Sequence, residues 1–255
     1  MHDTPDASVP SAPVTDGGPA RLVELAVAMS AVAARATDEG GRPPLEELVQ
    51  TAADQVPGAR WASVTVLRGG RFTTEAASHE KALRADALQY ELGSGPCVDA
   101  VLDDNVYLTG DIRSDARWGE YGRRSHEALG LNSVLAHRLS LHDDSGAIAC
   151  LNIYSDVRKA FDEPSLAVGL VLATHASLLV TAILARDRAD NLTHALESNR
   201  EIGVAMGILM QGHHLTREQA FGVLRLASQD SNRKLSDIAR DVAETGIAPV
   251  RRRLA

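Results

Sequence analysis

Cysteine is nearly absent from this chain of 255 residues: only Cys97 and Cys150 occur, and neither belongs to a CxxC pair. That excludes a disulfide-stapled scaffold and a zinc module built on paired thiolates, and it fits a reducing, cytoplasmic setting. The spacings that carry common chemistries are missing too. There is no GxxxxGK[ST], no HExxH and no GxSxG, and the run ELGSG has Leu92 where a nucleophile elbow needs glycine. His213 and His214 are adjacent, and adjacent histidines do not share a helical face, so they read as loop residues rather than metal ligands. No catalytic residue, metal set or cofactor is called for, and an enzyme is not expected. The opening stretch, MHDTPDASVPSAPVTDGGP, lacks the basic start and apolar run of a signal peptide. Its Pro, Ser, Asp and Gly content reads as a disordered tail over 1–19.

Positive charge is also short, with 26 Lys and Arg against 34 Asp and Glu, but the deficit is uneven. From Leu192 onward there are nine basic and seven acidic residues, whereas 1–191 carries 17 against 27. An acidic body with a mildly basic end points to two separate jobs. The run LAVGLVLATHASLLVTAILA, Leu166 to Ala185, has no formal charge and is long enough to span a bilayer. It contains His175, Ser177, two threonines and Gly169, and it lacks aromatic anchors, so a buried or dimer-forming helix is the better reading and no membrane is expected.

Helical periodicity marks Ala20 to Thr37 and, after Gly40-Gly41, the stretch PPLEELVQTAADQVPG. The period then changes to two. WASVTVLRGGRFTTEAAS sets Ala62, Val64 and Val66 on one face and turns at Gly69-Gly70, which predicts a hairpin. Helical EKALRADALQYEL, the turn and short helix GSGPCVDAVLDDN, the short strand VYLTGD and helical WGEYGRRSHEAL follow. NSVLAHRLSL and GAIACLNIYS read as a second hairpin. This order predicts an α+β domain with an antiparallel sheet and flanking helices over 20–164. A long helix begins near Pro164 and runs to about Gln211, breaking at Gly212. Leu192, Ala195, Asn199, Ile202, Met206 and Leu209 recur at alternating three- and four-residue steps along it, the pattern of a coiled-coil seam. With Leu178, the residues Leu192, Asn199, Ile202, Met206 and Leu209 form the expected homodimer interface, and 165–191 the connecting, dimerising segment. Thr216 and Gln219 have capping-box spacing and open a helix to about Asp230, with Ala220, Phe221, Leu224 and Ala227 on one face. A last helix spans about Leu235 to Glu244, stopped at Gly246, so a small all-α three-helix unit fills 192–247 and a basic tail 248–255.

Between the last two helices the chain sets Asn232, Arg233 and Lys234, with Arg225 before the turn and Arg200 a helix away. Guanidinium and ammonium groups on such a turn suit phosphates, and Asn can read a base edge. Three function classes remain open. They are an RNA-binding regulator, a DNA-binding helix-turn-helix-like regulator, and a thiol redox sensor using Cys97 at a turn-to-helix junction. Asp237, Asp241 and Glu244 on the last helix would repel DNA phosphates.

REIGVAMGILM, Arg200 to Met210, followed by LTREQAFGVLRLASQDSNRKLSDIA, Leu215 to Ala239, resembles the ANTAR domain, an RNA-binding antitermination module. The match rests on Ala-x-Gly-x-Leu-Met, Ala-Phe, Leu-Arg, Ala-Ser and Asn-Arg-Lys at these spacings. One departure is Met206, where many relatives carry Lys. The preceding helix pair, hairpin, GSGPCVDAV and terminal hairpin running into a long helix resemble the GAF domain. GAF followed by ANTAR resembles a known actinobacterial type of regulator. The resemblance implies a dimer that binds paired hairpins in nascent RNA, so that a terminator cannot form, under the control of a GAF sensor with an unknown small-molecule ligand. The RNA-facing set it implies is Arg200, Ala205, Gly207, Arg225, Ser228, Asn232, Arg233 and Lys234. Cys97, Trp118, Tyr121, His137, Asn152 and Tyr154 are the candidate lining of the sensor pocket.

Overall fold

The computed structural model describes residues 42–103, 106–141 and 146–246, together with Val23, Ala26 and Val27. The expected tails and most of the helix expected at Ala20 to Thr37 lie outside these residues. The chain divides into two compact units, one ending at Ala185 and the other starting at Arg186.

The first unit is built on a five-stranded sheet. Its strands are β1 (Trp61–Arg68), β2 (Arg71–Ala77), β3 (Val106–Thr109), β4 (Ser133–Leu139) and β5 (Ile148–Ser155), in the spatial order β2-β1-β5-β4-β3. Every pairing is antiparallel, with Val64 opposite Leu151 on β1 and β5, and Leu135 opposite Ile153 on β4 and β5. Side chains alternate across the sheet because the strand period is two. Ala62, Val64, Val66, Leu135, Leu139, Ala149, Leu151 and Ile153 all enter one apolar core. That core is closed by helix α1 (Arg42–Gln55), whose Leu45, Leu48, Val49 and Ala52 recur at helical spacing, and by the first turns of the long helix α5 (Glu163–His213). Val168, Leu172, Ala176, Leu179, Val180 and Ile183 of α5 are buried there.

Helix α5 starts at a reciprocal cap: the Ser165 amide donates to the Asp162 carboxylate at 3.1 Å, and the Asp162 amide donates to the Ser165 hydroxyl at 3.2 Å. Among the described residues it is the one helix long and apolar enough to cross a bilayer, and 56 % of its apolar window is buried inside the protein. It does not break at Gly212 as the sequence pattern predicts. It ends one residue later, and His214 takes a positive φ of 54°.

The opposite sheet face is covered by α2 (Glu80–Leu92), α3 (Pro96–Asp103) and α4 (Gly119–Leu129). It is lined by Trp61, Ser63, Thr65, Val134, Ala136, Cys150, Asn152 and Tyr154, and several of these are polar and fully buried. The second unit is a three-helix cluster made by the later turns of α5 with α6 (Arg217–Ser231) and α7 (Leu235–Thr245). Thr216 and Gln219 form the expected capping box, at 2.9 and 3.3 Å. Ala205, Leu209, Ala220, Leu224, Ala227, Ile238, Ala239 and Val242 make its core.

Helix α4 reaches its position because Gly122 has no side chain. A Cβ there would sit 2.0 Å from the Ile112 carbonyl oxygen, a backbone atom that cannot swing away. The replacement Gly122→Ala should therefore destabilise the first unit by about 1–3 kcal/mol, the usual cost of overpacking, read as a lowered midpoint in urea unfolding.

Candidate ligand face and nucleic-acid interface

The polar face of the sheet converges on Asp86 of α2, which is completely buried. The Tyr154 hydroxyl donates to its carboxylate, as do the Asn152 amide at 3.2 Å and the Thr74 hydroxyl at 2.9 Å. Burial pushes the Asp86 carboxyl up to about 6, against the pull of these donors. One turn further along α2, Gln89 donates to the Tyr154 hydroxyl at 3.0 Å and accepts from the Cys97 amide at 2.8 Å. Gln89 thereby stitches α2 to the start of α3. It fits because Gly95, at φ 151°, leaves the space: a Cβ there would lie 2.3 Å from the Gln89 amide oxygen.

The Cys97 thiol contacts the Thr65 hydroxyl at 3.0 Å. Cys150 stands opposite Thr65 on the neighbouring strand and shares a buried cluster with Cys97, so two residues far apart in sequence meet. Burial raises the Cys150 thiol well above its ordinary range, and the Cys97 contact adds to this. Trp118 donates its indole NH to Asp99 at 2.6 Å and is capped by the Arg117 guanidinium, 4.1 Å above the ring. Tyr121 is fully buried, and its hydroxyl has no hydrogen bond among the described residues. Ser125 and Tyr154 lie beside it outside bonding geometry.

Five of the six residues expected to line the sensor pocket, Cys97, Trp118, Tyr121, Asn152 and Tyr154, therefore lie on this one face. His137 does not. Strand alternation turns it to the other side, where a Cβ on Gly169 of α5 would come within 2.6 Å of its ring. Both its ring nitrogens are buried without partners among the described residues, and burial lowers it to about 4. The sequence reading also missed Asp86, Gln89 and Cys150. A lone acid and a lone amide in an amphipathic helix carry no local signal of what they will meet.

In the second unit the basic residues fall into two sets. Arg233 donates to Asp241 at 2.6 Å, and Arg240 donates to Glu201 at 2.9 Å, so these charges are internally compensated. Arg200, Arg217, Arg225 and Lys234 are exposed and make no hydrogen bond or ion pair among the described residues. Asn232 is the C-cap of α6, at φ 51°, with its backbone N–H directed at the Ser228 and Gln229 carbonyls. The Ser228 hydroxyl is spent on the Arg233 carbonyl at 2.6 Å. Gly207 is exposed, whereas Ala205 is buried at the centre of the three-helix core and so does not face a ligand.

The expected seam is likewise divided. Leu209 belongs to that same core and is not free for a partner chain. Ile202 and Met206 are half-buried against it, while Leu178, Leu192 and Asn199 are exposed. Phe221, expected on the buried face of α6, points outward and is 41 % exposed. It lines a groove of about 570 Å³ with Asn199, Ile202, Gly203, Met206, Arg217 and Glu218. No group of three metal-ligating side chains gathers among the described residues.

The GAF domain family profile matches residues 44–181, and the ANTAR domain profile matches 190–242. The chain belongs to the GAF family and carries an ANTAR domain. It is a regulator of the GAF-plus-ANTAR kind, joining a sensing domain to the RNA-binding antitermination family. No curated protein matches the sequence.

Several solved structures are similar to this chain. The N-acylhomoserine lactone dependent LuxR family transcription factor CepR2 from Burkholderia cenocepacia is 14 % identical over 65 % of this chain and 99 % of that one, with a TM-score of 0.52. The type II free methionine-R-sulfoxide reductase from Thermoplasma acidophilum is 22 % identical over 56 % and 94 %, with a TM-score of 0.46. A GAF sensor protein from Burkholderia vietnamiensis is 13 % identical over 61 % and 93 %, with a TM-score of 0.47. At these identities the likeness is one of fold alone.

Two buried groups of the GAF unit, Asp86 and His137, shift in ways that oppose each other between about pH 4 and 6. Asp86, raised, holds a proton in the native state that the unfolded chain has released, so its contribution to stability falls as pH rises from about 4 to about 6. His137, lowered, refuses a proton that the unfolded chain accepts, so its contribution rises from about 4 to about 6.5. Asp86→Asn should remove the first slope and expose the second. Relative to wild type, the variant should lose up to about 1.4 kcal/mol of stability per pH unit of acidification through this window. Urea midpoints at pH 6.5, 5.5 and 4.5 check it. A constant difference between the proteins would show that Asp86 titrates as in the unfolded chain.

Proposed function

We propose that this protein is an RNA-binding antiterminator whose ANTAR domain takes paired hairpins of nascent transcripts, as a homodimer, while the GAF domain receives a small-molecule signal. The observation that carries the reading is a set of cations, Arg200, Arg217, Arg225 and Lys234, that no acid compensates among the described residues, on a small helical unit of a chain with net charge −8. Cations without protein partners are free to neutralise phosphates. Asn232, Gly207 and Ser228 stand on the same unit, with Asn232 as a loop-base contact. Arg233 serves there first as the partner of Asp241, so its share of the phosphate binding is smaller. Unstacked loop bases supply the readable edges, and stems supply mainly phosphate.

The sensory function is assigned to the polar face around Asp86. It gathers Cys97, Trp118, Tyr121, Asn152 and Tyr154, and the unpartnered Tyr121 hydroxyl is the group a ligand would satisfy. The sensing unit extends to Ala185, and the RNA-binding unit begins at Arg186. Self-association is assigned to the outward apolar residues of α5. Leu170, Leu178, Leu192 and Leu196 are each more than half exposed, an arrangement that a second copy would cover.

Sequencing of RNA crosslinked to the full-length protein in cells is the direct test. Enrichment of closely spaced hairpin pairs upstream of terminators supports the reading, and enrichment of none of them removes it. On such an RNA, Arg225→Ala with Lys234→Ala should lower the dependence of log affinity on log salt by up to about two units, and Arg233→Ala by clearly less. Leu178→Asp with Leu192→Asp should convert the dimer to a monomer in sedimentation and abolish the preference for two hairpins over one.

A further inference from the structure

Helix α6 carries an exposed stripe that its core-facing pattern does not explain. Ala220, Leu224 and Ala227 occupy the buried side, and Arg217, Phe221 and Arg225 follow at four-residue steps on the exposed side. Each step advances about 6 Å along the axis and keeps the three side chains on one face. The aromatic therefore stands between two guanidinium groups, neither of which has a protein partner among the described residues. Phe is rare here, with three in the whole chain, and this one forgoes burial beside an available core.

Phe221 also forms one wall of the groove of about 570 Å³, whose floor is Ile202, Gly203 and Met206 of α5. Asn199 and Glu218 stand on the lining as polar groups, one able to donate and accept, the other to accept. We propose that this groove holds one unpaired RNA base, stacked on Phe221, with the phosphates on either side of it taken by Arg217 and Arg225. The inference rests on the RNA-binding reading and names a site within it.

The chemistry agrees with the shape. A base presents a flat π-face to an aromatic wall, and its edge carries donors and acceptors that Asn199 and Glu218 match. Its flanking phosphates require cations about one helical turn apart on both sides of the ring. A second copy of this chain fits less well. A specific protein interface needs about 1,000 Å² of buried surface or more, whereas this groove offers a single aromatic between charges. Met206 belongs to the floor in this arrangement, so the position without a cation is the place where the base lies rather than where a phosphate is held.

The test uses the full-length chain and a pool of RNA hairpins with a fixed stem and a randomised loop, from which the tightest binder is selected. Phe221→Leu should weaken binding to that hairpin by about 5- to 150-fold, the range of one base–aromatic stack. Phe221→Tyr and Phe221→Trp should retain binding, and unchanged melting temperatures of all three variants exclude a folding defect. An abasic sugar placed at each loop position in turn should find one position at which wild type and Phe221→Leu bind alike. Arg217→Ala should reduce the salt slope by about one.

Equal binding by Phe221→Leu and wild type overturns the proposal. So does a Phe221→Leu loss that persists at every abasic position. If Phe221→Leu dissociates a dimer and leaves the affinity per hairpin unchanged, the groove belongs to a second copy and the proposal fails. If the wild type enriches no hairpin over the starting pool, the RNA reading itself falls, and this site with it.

Discussion

Both faces of strand β5 are buried, and the first unit is organised around that constraint. Ala149, Leu151 and Ile153 point one way into an apolar core, and Cys150, Asn152 and Tyr154 point the other way into a polar one. A strand covered on both sides must have its polar atoms satisfied inside the protein, because water cannot reach them. The Asp86 carboxylate does this for Tyr154 and Asn152, and Gln89 joins Tyr154 to the amide that opens α3. The apolar side is covered by two helices that need only shape. The polar side is covered by three that must also place donors and acceptors.

This division explains what could be read from the sequence. The alternation of Ala62, Val64 and Val66, the turn at Gly69-Gly70, the pairing of the last two strands and the capping box at Thr216 are local patterns, and each element formed where its pattern lies. The family resemblance to GAF and ANTAR, carried by short motifs, agrees with the profiles over 44–181 and 190–242. The sensor face was legible only in part, because membership depends on which side of a strand a residue takes. Asn152, Tyr154 and His137 are all expected on the pocket lining, but the register of His137 sends it to the side of α5. The meeting of Cys97 with Cys150 had no sequence signal at all, since it requires the packing of α3 over β5.

The division of the expected seam has a similar cause. Steps of three and four residues describe any helix face that stays dry, whether it is dry against a partner chain or against its own following helices. Leu209 is dry because α6 and α7 fold back on it, and Leu192 is not covered by them. Phe221 reads as a core position for the same reason, one residue after the buried Ala220, and only the rotation of α6 shows that it faces out. The basic turn, in contrast, was conspicuous in sequence but is partly neutralised in the fold, because Arg233 sits within reach of Asp241 on the next helix. Charge counts give the supply of cations, and tertiary structure decides which remain uncommitted.

The uneven charge of the chain has a kinetic consequence for any polyanionic partner. With net charge −8, the protein as a whole carries the same sign as RNA, and the excess of acid, 27 against 17 basic residues, lies in 1–191. Beyond the Debye length, about 8 Å at physiological salt, the partner meets a screened and weakly repulsive object rather than an attractive one. Attraction begins only once the uncommitted cations of the helical unit are within that distance. Encounter is therefore unsteered, and association proceeds at the modest rate of orientational search rather than the fast rate of electrostatic guidance. Added salt screens the repulsion that slows encounter and weakens the contacts that prolong the complex. Its effect falls mainly on residence time, so random collisions with bulk RNA are brief and only a partner that fills the sites stays bound.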